Sequence, residues 1–161
     1  MDTQNHSYEN PDAPQGMERR MVLRLLAQWR DWCGEDRFPS FARVEPDAIS
    51  EMWSSCFVLD FLGHEDDPII RMVGEDLAAY MPQSVTNCRL SEAPAKSLIE
   101  YAAAYYREVL DREVPISRGG QFRKYDGKKV LFRSIILPMS DDGSTISGLL
   151  GAANCREVAG G

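Results

Sequence analysis

The sequence predicts a single α+β domain built on an antiparallel sheet, with its helices gathered on one face and an amphipathic helix ahead of them. Three observations carry this. Residues 122–153 read as two apolar runs, 130–137 and 146–153, joined by the acidic turn Ser140-Asp141-Asp142-Gly143. An earlier turn, Tyr125-Asp126-Gly127-Lys128, brings in a third strand. The middle of the chain is spaced as helix rather than as alternating strand.

Taken in order, residues 1–16 hold little that can be buried and are expected to form a disordered tail. A helix is predicted over 17–34, because Met21, Val22, Leu25, Leu26, Trp29, Trp32 and Cys33 recur at helical intervals before Gly34. The domain proper is expected over 35–155, with 156–161 a flexible end. Glu45-Pro46-Asp47 opens a short helix running to about Trp53, since proline suits a first helical turn. Residues 56–62 and 69–73 read as strands flanking an acidic loop, and 75–81 as a short helix ended by Pro82. Ser91 is read as the cap of one long helix to Arg112, with Leu98, Ile99, Ala102, Tyr105, Tyr106 and Val109 near one stripe.

The chain has 161 residues, enough for one domain with a sizeable core. Its apolar runs fall short of the roughly 20 residues a membrane span needs, and its start lacks the pattern of a signal peptide. The expected place is the cytoplasm. A net charge of −7 opposes nucleic-acid and anionic-membrane binding. The charge is uneven, however: Arg118, Arg123, Lys124, Lys128, Lys129 and Arg133 face only Asp126 between residues 117 and 134. Such a cluster reads as a solvated strand face that discourages edge pairing, or as a patch for an acidic partner. Cys33, Cys56, Cys88 and Cys155 are spaced for neither a metal site nor a disulfide framework. His6 and His64 are the two histidines, His64 in the acidic loop.

Several stretches, in this order and spacing, resemble the PAS domains, and in particular small stand-alone bacterial PAS-like proteins. They are residues 25–30 (LLAQWR), Phe38-Pro39, 44–49 (VEPDAI), 57–60 (FVLD), 70–74 (IRMVG) and 136–143 (ILPMSDDG). The resemblance implies a five-stranded antiparallel sheet with a long helix cupped over one face. It also implies a sensory or interaction role, usually without catalysis. Asn87-Cys88-Arg89-Leu90 resembles the start of the flavin-adduct motif of blue-light PAS photoreceptors. There Cys88 would be the reactive thiol and Arg89 a cation near the flavin phosphate. Ser91 and Glu92 depart from the motif, and the closing strands lack the amides that would hold a flavin ring. A haem would need an axial ligand, usually a histidine on the long helix, and residues 91–112 contain none. No cofactor is therefore expected.

Pocket candidates between sheet and helices are Phe57, Leu59, Met72, Tyr101, Tyr105, Phe122, Leu131, Arg133, Ile135 and Leu149, with Leu77 and Tyr80 beside them. Either they fill a core or they line a site for a small molecule. Arg71 and Arg133 interrupt apolar strands, and each would need an anionic partner if buried. Leu25, Leu26, Trp29 and Trp32 are the candidates for contact between two copies in a homodimer, the alternative being that their helix folds back on its own sheet. The functional expectation is a non-catalytic sensory or regulatory protein acting through a protein partner, with a small ligand as an option. The rival readings are a flavin or haem sensor, and a small cone-shaped isomerase or dehydratase using Asp60 with a tyrosine.

Overall fold

The computed structural model describes residues 19–61 and 66–158; the expected tail, His6 and His64 lie outside them. Helix α1 (Arg20–Cys33) forms on the predicted spacing. Gly34 ends it with φ +57°, a conformation open to glycine. A 3₁₀ turn at Pro46–Ile49 leads into the short α2 (Ser50–Trp53). Strands β1 (Cys56–Asp60) and β2 (Ile69–Val73) pair antiparallel, and α3 (Glu75–Ala78) follows. After α4 (Leu98–Ala102) and α5 (Tyr106–Arg112) come β3 (Ile116–Arg123), β4 (Lys129–Met139) and β5 (Gly148–Val158). The sheet runs β2-β1-β5-β4-β3, antiparallel throughout.

Both sheet faces are covered. Phe57, Leu59, Val130, Phe132, Ile136 and Leu149 turn to one face, where they pack with Leu98, Ile99, Ala102 and Val109 of α4 and α5. Cys56, Ile135, Leu137, Leu150 and Ala152 turn to the other, where α1 lies. This is the period-two alternation of a strand, each face meeting its own helical layer. Leu25, Leu26, Trp29 and Trp32 are buried in that second layer, and the indole N–H of Trp29 donates to the Pro138 carbonyl at 2.8 Å. The four residues expected in a contact between copies thus serve the core of one chain.

Three expectations are corrected. The long helix over 91–112 is two shorter ones. Pro94 keeps Ala93 extended (φ −62°, ψ 140°), which ends a 3₁₀ turn at Leu90–Glu92, and Lys96 has φ +62°, so α-helix starts only at Leu98. A second break falls at residues 103–105, where the Ser134 hydroxyl donates to the Ala102 carbonyl at 3.0 Å. The tight turn between the last strands is a loop over 140–147. The Asp142 carboxylate orders it by accepting from the Ser144 and Thr145 amides and from the Ser140 hydroxyl. Finally, β5 continues past residues 153 and 156 and pairs with β4 as far as Val158.

Candidate functional site

The cup between the sheet and α4–α5 receives Phe57, Leu59, Tyr101, Tyr105, Phe122 and Leu149. It does not receive Met72, Leu131, Arg133 or Ile135. Met72 and Ile135 pack in the α1 layer, and Leu131 and Arg133 alternate with Val130 and Phe132 and so point away from the cup. β4 is apolar on both faces because both are covered, so its sequence carries no alternation from which to read direction. Its true cup residues are Val130, Phe132, Ser134 and Ile136.

Aromatic rings occupy the cup. Tyr101 stacks on Phe122 with centroids 4.3 Å apart, and Phe122 meets Phe132 edge-on at 6.0 Å. The Phe57 ring lies against bare backbone at Gly151, where an added Cβ would come within 2.1 Å of it. One polar chain crosses this interior. The Tyr105 hydroxyl donates to Ser134 Oγ at 2.8 Å, and Ser134 in turn donates to Ala102. Burial pushes the Tyr105 phenol well above its ordinary range.

The two strand arginines separate. Arg71 is the extra residue of a β-bulge, since Val58 pairs with Met72 and Leu59 with Ile70. It turns outward to the Asp60 carboxylate at 3.4 Å and the Asn87 side-chain carbonyl at 3.2 Å. Asp60 is thereby paired with a cation on the side of β1 away from the cup tyrosines. Arg133 is 5% exposed, on the α1 side of β4, between Gly119 and Asn154 of the flanking strands.

The flavin-motif residues run along the free side of β2. Asn87, at φ +69°, donates its amide to the Ile70 carbonyl at 2.6 Å, and the Cys88 carbonyl accepts from the Ile70 amide at 2.8 Å. Cys88 is half-buried. The Arg89 guanidinium donates to the Asp67 carbonyl at 2.9 Å and its amide to Glu92 Oε1 at 2.8 Å.

The basic stretch is largely neutralised from within. Arg118 makes paired bonds to Glu108 at 2.7 and 2.8 Å. Lys124 is only 5% exposed; its ammonium lies 2.8 Å from Glu157 and 3.3 Å from Asp126, between the rings of Tyr80 and Tyr125. Nothing in the sequence marks Lys124 for burial. Its partners come from the end of β5, the β3–β4 turn and the segment after α3, and only folding joins these.

A groove of about 540 Å³ opens between α3 and the second half of β5, lined by Ser55, Glu75, Asp76, Leu77, Tyr80, Asn154 and Cys155 among others. Burial lifts the Cys155 thiol to about 12. Among the described residues no cluster of His, Cys, Asp and Glu could hold a metal ion, and no helix is long and apolar enough to cross a membrane.

Curated proteins give no match to this chain. Similar solved structures include a light-oxygen-voltage domain studied with a flavin analogue (15% identity, covering 74% of this chain and 87% of that one, TM-score 0.49). The light-oxygen-voltage domain of a blue-light activated histidine kinase from Erythrobacter litoralis shares 16% identity, covering 65% and 96%, TM-score 0.44. The PAS domain of a protein from Colwellia psychrerythraea shares 12%, covering 70% and 95%, TM-score 0.48. A family model described as PAS domain matches residues 17–154, from just ahead of α1 to within β5. With the five-stranded sheet and its cupped helices, that match makes this chain a member of the PAS-domain family.

Proposed function

We propose that this PAS domain is a cytoplasmic sensory or regulatory module that works by binding another protein, without catalysis and without a resident flavin or haem. The observation that carries the reading is the filled cup. A flat cofactor would need the volume that Phe57, Tyr101, Phe122 and Phe132 occupy, and polar groups to orient it. The strand residues facing that volume include no Asn or Gln; Ser134 is there, but its hydroxyl is engaged by Ala102 and Tyr105. Arg89 is held on the neighbouring loop by Asp67. α4 and α5 carry no histidine. The residues present therefore do not fit a flavin, despite the Asn87-Cys88-Arg89-Leu90 match.

Absorption spectroscopy and native mass spectrometry of the purified protein test this directly. The expected result is a colourless protein with the mass of its polypeptide. A visible flavin or haem spectrum, or a retained small molecule that Gly151→Val or Ser134→Leu expels, would replace this reading with a ligand sensor.

A further inference from the structure

We propose that the margin of β5 beside α3 is a docking site for an extended, basic segment of a partner protein, which adds to the sheet as a further strand. This deepens the proposed function by naming a surface and a partner class, and it rests on that reading.

The margin exists because β5 outruns β1. β1 begins at Cys56, opposite Ala152, and the Ala153 amide reaches the Ser55 carbonyl at 2.9 Å as the last rung on that side. β5 then continues to Val158 with a regular register to β4 alone. Alternate residues of a strand present their amides and carbonyls to the same side. Cys155 and Glu157 therefore continue the side that Ala153 uses. Among the described residues, neither makes a backbone hydrogen bond on that side. The 540 Å³ groove opens along this margin. An unpaired strand edge next to a groove is the arrangement used for strand addition, where main-chain bonds supply affinity and side-chain pockets supply selectivity.

Charge selects the occupant. The groove lining carries Glu75 and Asp76 and no lysine or arginine. The nearest ammonium, Lys124, is committed to Glu157 and Asp126. Asp76 Oδ2 takes the Ser54 hydroxyl at 2.7 Å, leaving its other oxygen and Glu75 to meet a cation. Leu77 and the Tyr80 ring offer an apolar wall beside them. A strand alternating Lys or Arg with an aliphatic residue satisfies both.

Backbone hydrogen exchange of the full chain, read by NMR, tests the proposal with a short peptide alternating lysine and valine. In dilute free protein the Cys155 and Glu157 amides should exchange fast relative to those of Leu150 and Ala152, and the peptide should slow them about tenfold or more. A glutamate–valine peptide, or the lysine peptide N-methylated at alternate nitrogens, should not. The pair Glu75→Gln with Asp76→Asn should weaken peptide binding about tenfold, or about 1.4 kcal/mol. Cys155→Pro removes one edge donor while leaving the β4 ladder intact, and should abolish the effect. Three results overturn the proposal. They are protection already present in dilute free protein (the chain covers its own margin), protection that grows with protein concentration alone (a second copy does), and equal protection by the acidic peptide. The measurements on the cup read a different part of the molecule, so failure here leaves the cofactor-free reading standing.

Discussion

Gly74 and Gly151 are set by what lies against them rather than by turns. A Cβ at Gly74 would fall 2.1 Å from the Ser54 carbonyl oxygen, and one at Gly151 the same distance from the Phe57 ring. Overpacking of this kind costs roughly 1–3 kcal/mol. Gly74→Ala should reach the upper end, since it meets backbone, and Gly151→Ala the lower, since a ring can tilt; urea denaturation of both checks the order. Asp142 is the second residue-scale control. Three hydrogen bonds hold its carboxylate down at about 2, against 3.8 unperturbed. A lowered folded value stabilises above the unfolded one, so the contribution is present above pH 3.8 and fades as pH falls toward 2. Asp142→Asn should lose this acid-side dependence and speed amide exchange at Ser144 and Thr145. The turn was legible in Asp-Asp-Gly, but the role of Asp142 in spanning a longer loop was not. Short polar side chains take up such bonds in many turn geometries, and the sequence does not say which.

The element that departs most from its sequence is the helical segment over the cup. Residues 102–104 are three alanines, the best helix former, yet the break between α4 and α5 falls there with no proline or glycine. The cause is tertiary: Ser134 takes the Ala102 carbonyl, and Tyr105 takes Ser134. Ser134→Ala removes both bonds and should cost about 1–2 kcal/mol. Tyr105→Phe removes the bond to Ser134 and the one the phenol accepts from the Arg118 amide but spares the bond from Ser134 to Ala102. It should cost about as much, about 1–2 kcal/mol, while leaving the helix break in place, and chemical denaturation with amide exchange at Tyr106 separates the two variants. The other break has a local cause, since Pro94 disfavours helix at Ala93, but the apolar stripe read alone runs through it. α1 makes a complementary case. Its spacing gave the helix but not what its stripe would touch, since an apolar stripe looks the same whether it meets its own sheet or a second copy. Trp29→Asp should therefore unfold the domain or free the helix. Circular dichroism should show lost helix and a lower melting temperature, and an unchanged, folded spectrum would contradict the packing described here.

Across the whole molecule, burial of polar and thiol groups sets the response to alkali. Cys56 and Cys155 are both raised from 9.0 to about 12 by desolvation. A raised folded value means the unfolded chain loses its protons first. Stability from this source is therefore full below pH 9 and declines as pH climbs toward 12. Urea midpoints should fall between about pH 8 and about pH 10, one unit either side of the onset, and less steeply in the Cys56→Ala, Cys155→Ala double variant, which removes the two titrations. At the same scale, membership of the PAS family follows from the order of the pieces along the chain, and that order could be read before any coordinates. The sequence by itself determined which segments form strands, where Gly34 stops helix, and that a meander closes the fold, because these follow from local periodicity and backbone permission. Only the tertiary structure decided that Leu131, Arg133 and Ile135 turn away from the cup, that Lys124 is buried, that α1 is consumed by its own sheet, and that β5 outruns β1 to leave a margin. Those outcomes depend on which distant surfaces meet, and a strand covered on both faces or a cation with remote partners leaves no periodic trace of that meeting.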